Sequence, residues 1–564
     1  MRLSGTRGLG VRGLGVRGRL LDAALLGTVV VCCAVFIVWP IVCIVAQGLV
    51  PSEGLAGVWG VLSSSAGLLA NSAFVGVLSA VLSTVVGLAV ALVITFGSRP
   101  WSSVTSGLVA VSMISPPFVA SLAYIELFGR RGLITHGLLG LSISPYGWWG
   151  VVLMQSLFFA AINVMLITSV LGRVDRSAVQ AALDLGAPMG HVFLDVIMPL
   201  LRPALSVCLL LTFVRSISDY GTPVVIGGSF ETIATEIYVR VVGYVDLRAA
   251  AVLNGLLFVV SGVVFVFFRR FDARDGAAGS KTLDAGVRPR AGEAGFALKG
   301  PLGVCAHLVC ALFSGFLVVL YLTIVHSAFT KGMGWSAPFT LDQLTHLVKF
   351  DLGALWHSGV YALAAAAIST ALGALVAYYA HRRRALFSLL LDFVATVPYT
   401  LPGICLGLGY ILAFNAAPLE LVGTDVIIVA VLAAKQLTIS SRAFSSALAQ
   451  VPVELDLAAR DLGASDPQVL GDVLLPNLLP AVGVSLVNGF SSAMVSYSAV
   501  LFLITPGHKT AVFQLFDALS GGKYGDAAMI SLALIVVTTL VNVIFYQLLL
   551  GRRRSRVSGT LGAL

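Results

Sequence analysis

Glu126, Arg215, Asp219 and Lys435 are ionisable side chains set in otherwise apolar runs. A charge in such a run is expensive to bury, so it marks a position where a partner or a function offsets the cost. Arg215 and Asp219 are four residues apart, one helical turn, and that spacing predicts that they pair. Directly after them comes Tyr220-Gly-Thr-Pro223, and Glu126 follows Pro116 and Pro117 by about three turns. The alternative for each is structural: an ion pair near a helix end, a glutamate approaching the outer interface, and a lysine that snorkels or pairs across helices. The eight histidines form no cluster and the seven cysteines lie in apolar runs without metal-ligand spacing, so no resident metal and no other cofactor is expected. No Gly-x-x-x-x-Gly-Lys-Ser/Thr phosphate loop occurs, which excludes nucleotide hydrolysis on this chain by that motif.

The elements that must hold these residues follow from composition. Of 564 residues, 58% are hydrophobic and only 11% charged, against about 25% charged in soluble proteins. A soluble enzyme, a disordered chain and a secreted disulfide scaffold are thereby excluded. Twelve runs are long and apolar enough to cross a bilayer as helices: near 20–49, 68–96, 103–128, 147–171, 200–226 and 246–268, then near 301–326, 356–380, 386–414, 424–446, 478–504 and 527–550. They do not alternate, which excludes outer-membrane barrel strands. The expected class is an all-α polytopic membrane protein.

With both termini inside, inner segments collect 25 of the 35 Lys and Arg, among them Arg382, Arg383 and Arg384. That asymmetry predicts cytoplasmic termini and accounts for the net charge of +9 without a nucleic-acid partner. Residues 1–19 form a basic, Gly-rich segment with a five-residue repeat and are expected to be disordered. Leu20–Leu49 is too long for a signal-peptide core and reads as a retained helix. The Gly-, Ala- and charge-rich stretch 269–300 reads as a cytoplasmic linker between halves at 20–268 and 301–551, with a basic tail at 552–564.

The two halves repeat. Ser83-Thr-Val-Val-Gly87 matches Ser369-Thr-Ala-Leu-Gly373 at an offset of 286, and Pro116 falls on Pro402 and Tyr124 on Tyr410. After the fourth runs the offset becomes 277. There, Gln180-Ala181-Ala182-Leu-Asp-Leu-Gly186, nine residues and Val196-Ile-Met-Pro199 match Leu457-Ala458-Ala459-Arg-Asp-Leu-Gly463, nine residues and Val473-Leu-Leu-Pro476. Each copy reads as a short helix, a Gly in a left-handed turn, a second short helix and a Pro opening the next span. Equal orientation of the halves predicts a twofold-like axis along the membrane normal. Pro116, Pro117, Pro398 and Pro402 are expected to break the third spans and free carbonyls to line a cavity.

This duplicated loop resembles the cytoplasmic signature of binding-protein-dependent ABC importer permeases, and the resemblance extends over nearly the whole chain to the fused two-half permeases of the iron(III) class. It departs from the signature at the usual Glu, which is Gln180 in one copy and Leu457 in the other, with Glu454 one turn earlier. The resemblance implies a type I permease of two six-helix halves in a bacterial inner membrane, with each loop docking on one of two cytoplasmic ABC ATPase subunits and an extracytoplasmic substrate-binding protein delivering cargo. It implies that ATP is hydrolysed on those other subunits and that this chain is a transport subunit, not an enzyme. The segment Ser216–Gly228 resembles the end of the fifth helix in iron(III) permeases, and Tyr220 corresponds to Tyr497. Glu126, Arg215, Asp219, Tyr220 and Tyr497 are therefore candidates for the translocation path, and two phenols with a carboxylate would be hard oxygen ligands for a ferric cargo. Related permeases for thiamine or phosphonate remain alternatives within the class. An ion-coupled secondary transporter with Arg215 and Asp219 as a proton relay is the alternative outside it.

Overall fold

The structure, a computed structural model, describes residues 16–49, 54–130, 132–140, 144–172, 174, 181–182, 184–279, 300–332, 337–383 and 387–547. The expected N-terminal segment up to residue 15, linker residues 280–299, the basic tail and Gln180 lie outside the described residues.

Among the described residues, nine helices are long and apolar enough to cross a bilayer alone, and three bent pairs bring the number to as many as twelve. The first half comprises α1 (Leu20–Gly48), α2 (Ala66–Phe96), α3 (Arg99–Ile114), α4 (Pro117–Phe128), α5 (Trp148–Leu171), α6 (Gly190–Ser218), the short α7 (Gly221–Ile226), α8 (Ile233–Val242) and α9 (Leu247–Gly279). The second comprises α10 (Gly300–Ala328), α11 (Asp342–Arg382), α12 (Ser388–Thr400), α13 (Gly403–Phe414), α14 (Asp425–Leu448), α15 (Val453–Asp461), α16 (Asp466–Asn477), α17 (Leu479–Met494), α18 (Ala511–Ser520) and α19 (Tyr524–Tyr546). The chain is an all-α polytopic membrane protein.

Both third spans are broken as their prolines require. The chain bends by 108° between Ile114 and Val119 and by 109° between Tyr399 and Gly403. Ser115 and Leu401, each preceding a Pro, have ψ of 138° and 137°, because a proline ring disfavours the helical conformation of the residue before it. Only Pro116 and Pro402 make the break: Pro117 opens α4, and Pro398 stays inside α12. The fifth spans also differ from the apolar runs. The helices stop at Ser218 and Met494, short of the expected 226 and 504, and α6 begins earlier, at Gly190.

Within each half the second, fourth and fifth spans are knotted by small and polar residues. Asn163 donates to Ser83 Oγ at 2.8 Å and Thr212 Oγ1 at 3.1 Å. In the second half Ser485 donates to Ser440 Oγ at 2.7 Å and lies 2.8 Å from Thr370 Oγ1. A Cβ on Gly87 would come within 2.8 Å of Asn163, and one on Gly373 within 2.6 Å of Ser440, so neither site has room for a side chain. The outer helices are tied alike. Ile233 N–H donates to Ser72 Oγ and Ala511 N–H to Ser358 Oγ, both at 2.8 Å, satisfying donors that a helix start leaves open.

The first spans cross over. Helix α1 packs on α12 and α13 and touches α11 and the start of α16. Tyr410 donates to Phe36 O at 2.7 Å, and a Cβ on Gly409 would lie 3.0 Å from Pro40 O. Reciprocally, α10 packs on α2, α3 and α4, with Tyr321 2.8 Å from Ser115 Oγ. The sequence divides near residue 280, but each half completes the other's surface.

Candidate functional site

The paired loops between the fourth and fifth spans keep one backbone geometry. Leu185 N–H donates to Ala181 O at 3.0 Å and Ala187 N–H to Ala182 O at 3.1 Å; Leu462 N–H donates to Ala458 O at 3.1 Å and Ala464 N–H to Ala459 O at 3.0 Å. Gly186 has φ of 84° and Gly463 of 88°. An added Cβ would meet nothing within 4 Å at either glycine, so the requirement is for left-handed backbone and not for space. Ala181 and Ala458 are exposed, Ala182 and Ala459 half-buried. Leu185 is 88% exposed and Leu462 89%, an apolar knob presented at the same place in both loops.

Pro199 and Pro476 are exposed and follow π-helical turns at Phe193–Ile197 and Val469–Leu474. A proline has no N–H for the carbonyl four residues back and its ring collides with that carbonyl; a widened turn moves it aside. Pro199 thus lies within a continuous α6 and does not open it, whereas α16 and α17 meet at 75°.

What holds the loops differs. In the second half, Arg382 binds Asp456 in two-pronged fashion at 2.7 and 3.0 Å and donates to Val451 O and Pro452 O at 3.0 and 2.9 Å. Asp466 receives Arg383 and Arg460, each at 2.8 Å, and Arg383 also holds Asp22 of α1 at 2.5 Å. In the first half Phe96 and Gly97 stand at the positions of Arg382 and Arg383, and Met189 at that of Asp466. There Phe96, Leu92, Ile167, Leu171, Val192, Phe193 and Ile197 form an apolar cluster under the loop.

Of the path candidates, Tyr220 and Tyr497 come together. Their rings stack with centroids 5.6 Å apart and planes 23° from parallel, joining the halves at the ends of the two fifth spans. Tyr238 stacks on Tyr220 at 5.6 Å, and Phe516 lies 4.8 Å from Tyr497. Both tyrosines are buried, and the Tyr220 hydroxyl has no hydrogen-bond partner among the described residues.

Arg215 and Asp219 do not pair, contrary to their spacing. Asp219 is already off the helix, with ψ of 109°, so the i, i+4 geometry is lost. Its carboxylate accepts from Gln155 Nε2 at 3.0 Å and from Thr222 N–H at 3.2 Å. Arg215 instead reaches the second half: it donates to the Tyr399 hydroxyl at 3.2 Å and lies 5.7 Å from the ring centre. Lys435 donates to Ser496 Oγ at 3.0 Å. Glu126 is bonded by the Ser327 hydroxyl where α10 packs on α4. Among the described residues no three His, Cys, Asp or Glu side chains converge as a metal site.

Sequence reasoning missed Gln155, whose Oε1 accepts from Ser79 and Ser216 while its amide fixes Asp219. An amide in an apolar span was the available signal, since a buried polar group needs partners.

A family model described as a binding-protein-dependent transport system inner membrane component matches this chain twice, over residues 83–274 and 369–555. The chain is 30% identical over 509 residues to the ferric transport system permease protein FbpB of Actinobacillus pleuropneumoniae, covering 86% of this chain and 72% of that protein. It is 31% identical over 478 residues to the putative ferric transport system permease protein FbpB 1 of Haemophilus influenzae, covering 81% and 73%. A shorter likeness, 31% over 154 residues, links it to the putative 2-aminoethylphosphonate transport system permease protein PhnV of Salmonella typhimurium, covering 27% of this chain and 57% of that one.

Proposed function

The chain belongs to the family of binding-protein-dependent transport system inner membrane components, and from that premise we propose that it is the permease of an ATP-driven importer carrying iron(III) inward. Its partners are two cytoplasmic ABC ATPase subunits, which hydrolyse ATP, and a substrate-binding protein on the opposite face. Both termini lie in the cytoplasm, and the working units are the halves 20–268 and 301–551 joined through 269–300. The iron(III) assignment rests on the likeness to the two ferric permeases.

The observation that carries the coupling is the pair of matched loops. Two surfaces built from the same backbone bonds, each presenting an exposed leucine at the same place, Leu185 or Leu462, suit two copies of one partner. Gln180, Ala181, Ala182, Gly186 and Pro199, with Ala458, Ala459, Gly463 and Pro476, form the docking elements. Closure of the ATPases on ATP draws the loops together, and the rigid links to the fifth spans part the Tyr220–Tyr497 stack on one side of the cargo. ATP does this only by binding one conformation more tightly than the other. Arg215, Asp219, Tyr220 and Tyr497 line the path, Asp219 by setting the turn that carries Tyr220, and Glu126 flanks it.

The test is uptake of radioactive iron(III) into vesicles holding this chain with its ATPase and binding protein. Uptake that requires ATP, and that disappears when Gly186 and Gly463 are both replaced by Val while membrane insertion persists, supports the reading. Uptake driven by an ion gradient with no ATPase present overturns it.

A further inference from the structure

Arg215 and Lys435 stand on either side of Tyr399 at the junction of the two halves: Arg215 of α6 reaches Tyr399 of α12, and α12 packs on α14, where Thr438, one turn from Lys435, donates to Ala395 O at 2.7 Å, one turn from Tyr399. Their described partners are neutral hydroxyls, those of Tyr399 and Ser496. Among the described residues neither has a carboxylate within ion-pair range. The acid closest in sequence to Arg215, Asp219, is committed to Gln155 and Thr222. Lys435 stands ten residues from Asp425 and thirteen from Leu448 in its helix, too deep for its ammonium to escape along the helix to an interface. Two like charges kept together at such depth are expensive, and nothing described within the chain offsets them. Both residues are half-buried.

The surroundings have the chemistry of an anion site. The guanidinium offers a planar fork of donors and the ammonium a compact charge, while Tyr399 and Ser496 add hydroxyls. The site adjoins the ring contact described above: Ser496 directly precedes Tyr497, and Arg215 lies five residues before Tyr220. We propose that Arg215 and Lys435, with the hydroxyls of Tyr399 and Ser496, bind a phosphate- or phosphonate-type oxyanion on the translocation path. This deepens the permease reading and rests on it. A bare trivalent cation is repelled by both charges. Two sources supply the required chemistry: an oxyanion that is itself the cargo, and an oxyanion that travels bound to iron(III).

The experiment is equilibrium dialysis of radiolabelled inorganic phosphate against the full chain in lipid nanodiscs, with and without iron(III) supplied as its nitrilotriacetate complex. Saturable binding is expected, weakened at least tenfold in Arg215→Gln and in Lys435→Gln, and retained in Lys435→Arg. Binding without the metal identifies the oxyanion as cargo; binding only with iron(III) identifies it as the companion of the metal. On the unaltered protein, phosphate should also slow acylation of Lys435 while leaving Lys331 unaffected, a readout that does not depend on any variant folding. Phosphate binding that is absent under both conditions, or unchanged by the Gln substitutions, or acylation of Lys435 indifferent to phosphate, overturns the proposal. No ATPase or nucleotide is present in these measurements, so their failure leaves ATP-driven uptake standing, and failure of uptake leaves the anion site standing.

Discussion

The two loops that carry the family signature have the same backbone and opposite supports. The first rests on an apolar cluster around Phe96 and Phe193, while the second is pinned by Arg382, Arg383 and Arg460 to Asp456 and Asp466. An apolar contact is indifferent to direction and lets a loop slide or tilt at small cost. A two-pronged arginine–carboxylate bond fixes orientation, and breaking it strands a buried charge. Under the proposed coupling, the shared surface specifies the partner, and the unshared underside specifies how stiffly each half follows it.

The largest expected effect is at Arg382. Arg382→Ala leaves Asp456, with a side chain only 5% exposed, without its partner, and should destabilise the second loop by about 3–5 kcal/mol. Hydrogen exchange should rise across 451–466 and stay unchanged across 184–197, with uptake reduced more than tenfold. Equal loosening of both loops would break the comparison. Phe193→Ala is the counterpart, expected to cost about 3 kcal/mol by emptying the first loop's cluster, with the exchange pattern reversed. Third, Gly186→Ala and Gly463→Ala should each cost about 1–2 kcal/mol, the strain of a left-handed L-residue, and the two costs should agree because the backbone angles do. A difference above roughly 1 kcal/mol would show that the supports, and not the turn, set the strain. The smallest effect on stability is at the knobs: Leu185→Ser and Leu462→Ser should stay within about 0.5 kcal/mol of the parent and yet lower stimulation of the partner's ATP hydrolysis several-fold. Unaltered stimulation in the double variant would remove the leucines from the docking surface.

How much of this could be read beforehand depends on the range of the interaction. The spans, the proline breaks, the paired loops and the correspondence of Tyr220 with Tyr497 are visible because they are local patterns repeated at constant offsets, and the structure brings those two rings into contact. The Arg215–Asp219 pairing failed because spacing counts turns only while the helix lasts, and this one ends at Ser218. Arg382 and Arg383 counted only toward membrane orientation, since nothing in Asp456 or Asp466 announces a partner more than seventy residues away. The crossing of α1 and α10 was equally silent: an evenly apolar helix has no preferred face, and only complementary small residues such as Gly409 decide which helix it meets.

That crossing also governs biogenesis. Asp22 and Arg383 are 361 residues apart, so at roughly 5–20 residues per second a ribosome needs some 20–70 s after releasing the first before it supplies the second. Throughout that interval the leading helix sits in lipid without its second-half neighbours, and a transcript truncated between the halves yields a product that no later folding can complete.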